Sequence, residues 1–506
     1  MLHFKIFVRL LSGLIMGGAL LLVTSCAGRV SPDEVRPDHP SIFPDYVGVT
    51  IPVGIAPLNF RMDSLTSGVE VEVVSSGGET LLVKGTDHIV FPETDWRDMV
   101  EQSTGDSLML TVTALKDGRW VQYAPFAVHV SAHPIDATLV YRLIAPGYEV
   151  YSQMGIYQRQ LASFKQTALV ENTLVPGSCV NCHSFRQTAP GQMSLHMRGE
   201  IGGTIVKNGV EMQFLNTKTE QTLGNCVYPY WHPGGDYIAY SVNKTQQAFH
   251  IQQTKRVEVF DHASDVVVYH LPSKQLVSCD ALRNDSVFET FPAFSPDGKW
   301  LYYCTAAVQP IPEGLKEIRY NLCRIAFDVQ SGTFGQAADT LVDAVAKGKS
   351  VSFPRPSYDG RYLMYTLSDY GNFSIWHREA DLWMLDLQTG QSRALTELNS
   401  DEVESYHSWS SNSRWVVFSS RRIDGLYTRL YLSCMDESGQ FSKPFLLPQR
   451  HPGQNDALLF SYNVPEFVNG AVQMSPSEVE HLVKGAKTNV GYRNETSGVD
   501  LNIESE

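Results

Sequence analysis

A short unit occurs four times in this chain and restricts the fold more than any other feature. Each copy reads as a strand end, a tight turn rich in Asp, Asn and Gly, and an aromatic, apolar strand. The copies are Trp231–Ser241, Phe294–Cys304, Pro356–Thr366 and Trp409–Ser419. A further strand follows the first three, at Asp265–Leu271, Asn321–Asp328 and Asp381–Gly390. One four-stranded blade of this kind cannot cover both of its faces, so the repeat predicts blades that pack radially into a β-propeller.

The unit resembles the blades of the TolB-like propeller family, which are periplasmic proteins with six blades. The resemblance rests on the Ser/His-Pro-Asp-Gly-Lys/Arg turn and on the Asp-Leu-x-Thr-Gly end of the blade, as in Asp386–Gly390. The four clear units run from 228 to 448, and 150–221 leaves room for two weaker ones. Six blades are therefore expected within a propeller domain at 146–470. The last unit departs from the pattern, because Asn412 and Ser413 replace Asp-Gly.

The segment before the repeats predicts a second, smaller β domain. Residues 46–145 contain short alternating strands separated by turn signals such as Ser76–Gly78, and no helical periodicity. This pattern is typical of an immunoglobulin- or fibronectin-like β-sandwich, although the Cys-Trp-Cys signature of antibody domains is absent. The expected fold class is all-β. Residues 26–45 are interpreted as a tether and 471–506 as a polar, solvated C-terminal tail, with one capped helix beginning after Ser475.

The N-terminus has the pattern of a bacterial lipoprotein signal peptide. Lys5 and Arg9 precede the apolar run Leu10–Val23, which ends at Ser25-Cys26. Residues 1–25 are expected to be removed and Cys26 to be acylated, anchoring the chain in a membrane. Ala27, in place of an aspartate, resembles lipoproteins passed on to the outer membrane, so we expect a lipid-anchored envelope protein facing the periplasm. The alternative is an ordinary secretory peptide with a chance cysteine.

The charge balance argues against a nucleic-acid partner. The formal net charge is −14 and becomes −16 once Lys5 and Arg9 are removed with the signal peptide. Nucleic acids and anionic membrane surfaces are bound through basic surfaces, which this composition does not favour. The expected partners are the membrane, through the lipid, and an unidentified periplasmic or outer-membrane protein.

The chemistry-bearing motif is C-x-x-C-H at Cys179, Cys182 and His183, the pattern for covalent attachment of one c-type haem. Two thioethers would hold the porphyrin and the imidazole would be the proximal iron ligand. We expect the motif in an insertion near 176–198. A disulfide, half of a zinc site or a chance match are the alternatives, and zinc is disfavoured because no second C-x-x-C is present.

Residues shortly downstream are candidates for the opposite face of the iron. Met193 is predicted as the sixth ligand ahead of His196, because a thioether suits a site packed against apolar strands. In a strand, Met193 and Met197 share one face and His196 lies on the other. Arg198 is a candidate partner for a haem propionate. Ordinary packing, for the methionines, and a structural hydrogen bond, for His196, are the competing interpretations.

Polar residues on the predicted innermost strands form a second, weaker signal. Glu289, Ser350 and Glu404 would gather around the propeller axis, where they could bind a small ligand or a metal, or simply hydrate the channel. Cys304 and Cys323 fall on consecutive strands of one blade and could form a disulfide in an oxidising compartment.

Three functions follow from these patterns. The arrangement resembles Bacteroides-type envelope lipoproteins with TolB-like blades, and the first function is a monohaem propeller in periplasmic electron transfer or redox and ligand sensing. The second is a non-enzymatic scaffold whose propeller binds another envelope protein. The third, a propeller enzyme, lacks a recognisable carboxylate pair or activated nucleophile, and no G-x-S-x-G is present.

Overall fold

The computed structural model describes residues 28–145, 153–250 and 256–494, so Cys26 and the signal segment lie outside it. The first part is a β-sandwich with ten strands and one helix. Their bounds are β1 Glu34–Val35, β2 Ile42–Phe43, β3 Thr50–Pro52, β4 Phe60–Met62, β5 Gly68–Val74, β6 Thr80–Gly85, β7 His88–Ile89, α1 Glu93–Gln102, β8 Ser107–Lys116, β9 Arg119–Gln122 and β10 Phe126–Ser131.

Seven of these strands form one sheet around β8, and β2, β4 and β7 form the other. The alternating pattern therefore predicted this sandwich, but it missed α1. Trp96, Met99 and Val100 are the buried residues of that helix. Their spacing of three and four residues places them on one helical face, which packs into the sandwich core.

Six four-stranded sheets follow and form the six blades of a β-propeller. In chain order the strands are β11 Thr138–Ile144, β12 Gly155–Gln160, β13 Gln166–Glu171; β14 Ser178–Arg186, β15 Ala189–Gly199, β16 Gly203–Asn208, β17 Glu211–Asn216; β18 Cys226–Trp231, β19 Tyr237–Phe249, β20 Val257–His270, β21 Gln275–Ser278; β22 Val287–Phe294, β23 Trp300–Ala307, β24 Asn321–Asp328, β25 Thr333–Val342; β26 Ser350–Pro356, β27 Tyr362–Ser368, β28 Asp381–Asp386, β29 Ser392–Ala394; and β30 Glu404–Trp409, β31 Trp415–Ser420, β32 Arg429–Cys434, β33 Phe445–Leu446.

The ring is closed by a strand from the far end of the chain. After a short helix, α2 (Gln454–Ala457), the chain forms β34 (Ser461–Val468), which pairs with β11 in an antiparallel ladder. Blade 1 is therefore β34-β11-β12-β13, and blades 2 to 6 are β14–β17, β18–β21, β22–β25, β26–β29 and β30–β33. Closure of this kind completes the first blade with a strand that follows the last one, which joins the two ends of the ring.

The C-terminal segment is more structured than the sequence suggested. Helix α3 (Pro476–Val483) begins with the predicted capping box, in which Ser475 and Glu478 cap each other. Two short strands then add to outer blade edges in parallel: β35 (Thr488–Asn489) pairs with β17, and β36 (Gly491–Asn494) pairs with β21. The interpretation of a solvated tail is wrong for these residues. No helix among the described residues is long and apolar enough to cross a bilayer.

The repeated turns explain both the pattern and its one departure. Gly235, Gly298 and Gly360 have φ values of +88°, +73° and +75°, in the left-handed region that glycine adopts without strain. Ser413 takes the same position at φ +60°, and its Oγ accepts a hydrogen bond from the backbone N–H of Asp359 at 3.0 Å. The serine is less suited than glycine to this backbone conformation, but its side chain forms a hydrogen bond between blades 5 and 6.

The sandwich packs against blades 6 and 1 through one continuous core. Polar contacts fix the same junction: the Ser411 N–H and hydroxyl both donate to Asp136 at 2.7 Å, and the Asn412 amide donates to the Pro134 carbonyl at 2.7 Å. The divergent turn of the last repeat is therefore the one that docks on the segment between sandwich and propeller.

Candidate functional site

All six innermost strands contain the same irregularity halfway along the channel. A non-glycine residue with positive φ, between +47° and +52°, interrupts the ladder in each, and proline or histidine follows it. The six dipeptides, which we call the axial ring, are Cys182-His183, Tyr228-Pro229, Phe291-Pro292, Phe353-Pro354, Tyr406-His407 and Val464-Pro465.

The aromatic members of the axial ring meet one another at the centre of the propeller. Ring centroids lie 4.6 Å apart for Tyr228 and Phe291, 4.2 Å for Phe291 and Phe353, and 4.8 Å for Phe353 and Tyr406. Offset and edge-to-face contacts of this length are favourable. The aromatic residues of the axial ring therefore form one apolar cluster that links blades 3 to 6.

The C-x-x-C-H motif lies in this ring and not in an insertion. Residues 176–198 include β14 and most of β15, the first two strands of blade 2. Cys182 occupies the positive-φ position and His183 the position that is proline in four other blades. The requirements of the repeat are therefore met by an apolar residue at position 182 and by a compact ring at position 183.

His183 is a buried, neutral imidazole. Its side chain is among the buried polar groups and neither ring nitrogen has a hydrogen-bond partner. Burial, followed by the positive charge of Arg142, lowers its pKa to about 3. His407 in blade 6 repeats this state, with two unpartnered nitrogens and a pKa that burial lowers to about 3. A neutral imidazole is the form that binds a metal, but the environment alone does not distinguish blade 2 from blade 6.

The cysteines and two arginines make blade 2 different. Cys179 and Cys182 are both buried, and burial raises the pKa of the Cys179 thiol while Arg142 and Arg198 oppose that shift. The Arg142 Nη1 donates to Asn181 Oδ1, between the two cysteines, and Arg198 lies opposite Cys179 in the ladder. The predicted residue Arg198 is therefore next to the motif, and Arg142 is a neighbour that the sequence analysis missed.

The candidate sixth ligands separate as the strand pattern predicted. Met193 and Met197 belong to the core between blades 1 and 2, together with Val180 and Phe185 of β14. The Phe185 ring lies 6.3 Å from that of His183. His196 and Ser194 are two residues apart in β15 and therefore lie on the same face of the strand. Ser194 Oγ lies 2.7 Å from the Tyr240 hydroxyl of blade 3. Met193 thus shares the blade 1 side with His183, and His196 does not.

The channel mouth carries a second arginine that sequence reasoning missed. Arg421 is buried, and its guanidinium carbon lies 3.2 Å from the ring centroid of Trp376. Burial lowers its pKa to about 9. Neither Arg142 nor Arg421 forms an ion pair within the described parts of the chain, and the Nε of each has no hydrogen-bond partner. Both lower the pKa of Tyr406, which burial raises, so both cations lie near this residue of the axial ring.

A long hairpin reaches over this mouth. Strands β19 and β20 extend beyond blade 3, and Glu258 near the tip accepts a hydrogen bond from the Tyr370 hydroxyl at 2.5 Å. His377 Nε2 lies 3.1 Å from the same carboxylate oxygen. Tyr370 and His377 belong to blade 5. The hairpin of blade 3 is therefore hydrogen-bonded to a blade that is not its neighbour in the ring.

The other sequence candidates are resolved by register and hydrogen bonding. Cys304 lies opposite Leu322, while Cys323 lies opposite Tyr303. The two thiols therefore face opposite sides of blade 4, and the disulfide prediction was wrong. Ser350 accepts a hydrogen bond from the Tyr320 N–H of blade 4 and donates to the Gly371 carbonyl of blade 5. Glu404 accepts from Ser400 and Ser420, whereas Glu289 has no side-chain donor for either oxygen. Within 28–145, 153–250 and 256–494, no group of three or more His, Cys, Asp or Glu side chains is arranged to hold a metal ion.

No protein-family model matches this chain, and the search of characterised proteins gave no match. Among solved structures it is similar to a puromycin-hydrolyzing peptidase of Mycobacterium tuberculosis, at 13% identity and a TM-score of 0.35 over 80% of this chain and 57% of the peptidase. It is also similar to Porphyromonas gingivalis dipeptidyl peptidase 4 (9%, 0.29, 81% and 60%) and to an oligogalacturonate lyase in complex with manganese (11%, 0.25, 79% and 91%). The chain spans less than two thirds of either peptidase. It is an all-β protein with a propeller.

Proposed function

We propose that this protein is a TolB-like propeller that carries one c-type haem on Cys179 and Cys182 and takes part in periplasmic electron transfer. One observation carries the proposal: the two motif thiols share a buried environment with His183 and with the guanidinium groups of Arg142 and Arg198. A thiol pair, a neutral imidazole and nearby positive charge are the groups that a haem and its propionates require.

The residues fit the group in their chemistry. Thioether bonds would form at Cys179 and Cys182, and His183 has unpartnered nitrogens with which to bind iron. Bound haem supplies an iron centre that accepts and releases one electron. The two cysteines would hold the haem on one strand, which the ladder between β14 and β15 keeps in place.

The surrounding side chains set the conditions at the site. Arg142 and Arg198 stabilise negative charge beside Cys179, and Arg421 adds a third cation near the mouth. Tyr228 and Tyr406 lie close enough to Cys182 for its charge to affect their pKa values. Low dielectric and fixed positive charge both affect a reduction potential. Met193 is our choice for the sixth ligand, because it lies on the blade 1 side with His183.

We expect visible colour that survives denaturation when the protein is made in cells competent for c-type maturation. Thioethers persist after unfolding, so a pyridine haemochrome spectrum of the denatured chain should show covalent haem. Cys179→Ser and Cys182→Ser should each remove a thioether, and the double variant should retain no haem after acid-acetone extraction. Cys226→Ser, which alters a buried thiol outside the motif, is the control and should keep its full haem content.

The axial ring offers a matched test of iron ligation. His183→Gln should change the visible spectrum, whereas His407→Gln, at the equivalent position of blade 6, should leave it unchanged. Met193→Ala should remove the sulfur-to-iron charge-transfer band and lower the reduction potential, and His196→Ala should alter neither. A colourless wild-type protein from competent cells would refute the haem and leave a scaffold that binds an envelope protein.

We further propose that the protein is anchored through Cys26 to the outer membrane and faces the periplasm. The support is the Ser25-Cys26 ending of the apolar segment. Cys26→Ser should move the protein from the membrane fraction to the soluble periplasmic fraction, because the acyl chains provide the anchor. Cys226→Ser should remain in the membrane fraction. If Cys26→Ser also remains there, the anchor is elsewhere.

A further inference from the structure

Glu289, at the mouth end of β22, has an uncompensated buried carboxylate. Its side chain is 1% exposed, and no side chain donates a hydrogen bond to either oxygen. Burial, followed by the negative charge of Asp265, raises its pKa to about 9, and the backbone of Asn284, a neighbouring donor, opposes this shift. An ionised carboxylate without a counter-charge is unstable in such a place. The group therefore requires either a proton or a cation.

Two more unpartnered oxygens belong to neighbouring strands of blade 3. Ser264 Oγ on β20 and Asn243 Oδ1 on β19 are buried without a hydrogen-bond partner. Asn243 lies directly opposite Ser264 in the ladder, so both side chains are on one face of the sheet. The Asn243 amide nitrogen donates to Asp261 at 2.9 Å, which turns its oxygen away from that carboxylate.

Strand alternation shows that this face is the one that meets Glu289. Ser264, Val266 and Val268 are every second residue of β20 and therefore lie on one face of the strand. The two valines belong to the same buried cluster as Leu301 and Tyr303 of blade 4. In blade 4, Thr305 lies on the same face of β23 as Leu301 and Tyr303. Glu289 lies directly opposite Thr305 in the ladder and so belongs to that face as well. The carboxylate also contributes to the raised pKa of Tyr303, after burial and Cys323.

Thr290, which follows Glu289, shows how closely β22 approaches blade 3. Thr290 Oγ1 lies 3.2 Å from Ser241 Oγ and 3.5 Å from the Asn243 amide nitrogen. The strand that carries Glu289 is therefore pressed against the strand that carries Asn243. The strand register therefore places the Glu289 carboxylate on blade 4 and the Ser264 and Asn243 oxygens on blade 3, on the faces where these two blades pack.

We propose that Glu289, Ser264 and Asn243 bind a single Ca²⁺ between blades 3 and 4. All the unpartnered atoms are oxygens, which are the ligands that Ca²⁺ takes in proteins, and water can complete its coordination. Neutral amide and hydroxyl ligands beside one carboxylate suit the flexible coordination of Ca²⁺ better than the strict octahedron of Mg²⁺. The ion would join a strand of blade 4 to the two strands of the hairpin.

The test uses the purified full chain after treatment with EDTA, with CaCl₂ as the added probe. Titration calorimetry should show one bound Ca²⁺ per chain, and the thermal unfolding midpoint should rise with calcium. Glu289→Gln should lose both the heat and the shift. Glu317→Gln, which removes an exposed carboxylate from the same blade, should bind as the wild type does.

A second variant keeps the result interpretable if Glu289→Gln fails to fold. Ser264→Ala removes only a hydroxyl and should weaken calcium binding measurably while the protein stays folded. Absence of calcium binding in the wild type would overturn the proposal. Equal binding in the wild type and Glu289→Gln would also overturn it, because the ion would then lie elsewhere.

Discussion

Replacing Glu404 by leucine should lower the free energy of unfolding by about 3–5 kcal/mol. Glu404 begins β30 at the channel mouth and is 0% exposed. Its carboxylate accepts hydrogen bonds from the Ser400 N–H at 2.9 Å and hydroxyl at 2.7 Å, and from the Ser420 hydroxyl at 2.7 Å. Arg422 Nη2 also donates to it at 2.9 Å. Leucine would remove the acceptor of the Ser400 N–H and of the Ser420 hydroxyl. It would also leave the buried end of the Arg422 guanidinium without its counter-charge, although the Leu398 carbonyl still accepts from it.

The same blade provides a control with the same change of charge. Glu437 pairs with Arg414 at 2.8 Å, but its side chain is 77% exposed. Exposed pairs contribute about 1 kcal/mol or less, so Glu437→Leu should shift the urea midpoint only slightly. Both midpoints are measured by far-UV circular dichroism. Equal midpoints for the two variants would mean that Glu404 is not hydrogen-bonded in the way the structure shows.

The parts of the fold that could be predicted depend on local chemistry. Asp-Gly turns, apolar strands and the Ser475 capping box act over a few residues, so the repeat and the α3 cap could be inferred from the sequence. Helix α1 was missed because the surrounding strand pattern masked three apolar residues at helical spacing. Strands β35 and β36 were missed because they are polar and are stabilised by pairing with blade edges that are distant in sequence.

The axial ring shows why the site was predicted only in part. Tyr, Phe and Val rarely adopt positive φ, so no local preference predicts them there. A proline within a strand pattern predicts an edge strand or no strand at all. The innermost strands do have a free edge, which faces the channel. The recurring aromatic-proline pairs, such as Phe291-Pro292 and Phe353-Pro354, were therefore a usable signal. Arg142 and Arg421 carried none, because their burial beside the axial ring depends on contacts between segments that are distant in sequence.

Ring closure leads to the largest effect that we expect. A chain that ends at Gly453 lacks β34, the innermost strand of blade 1, and leaves the inner edge of β11 unpaired. Tyr462, Phe467 and Val468 are buried in the full chain, and each contributes about 1.5–3 kcal/mol. Lost ladder hydrogen bonds and the newly exposed face of β11 add to this, against a net stability of about 5–15 kcal/mol for a typical domain.

The Gly453 chain should therefore show no cooperative thermal transition and should aggregate through the open edge of blade 1. The control is a chain that ends at Gly470, which keeps β34 but loses α3, whose Val479 and Val483 pack beside blades 1 and 2. It should fold and melt cooperatively at a lower temperature than the full chain, because the ring is closed although one flank is uncovered. Near-UV circular dichroism and scanning calorimetry on both chains make the comparison. A cooperative transition in the Gly453 chain would show that blades 2 to 6 are stable without closure, and that the pairing of β34 with β11 does not hold the ring together.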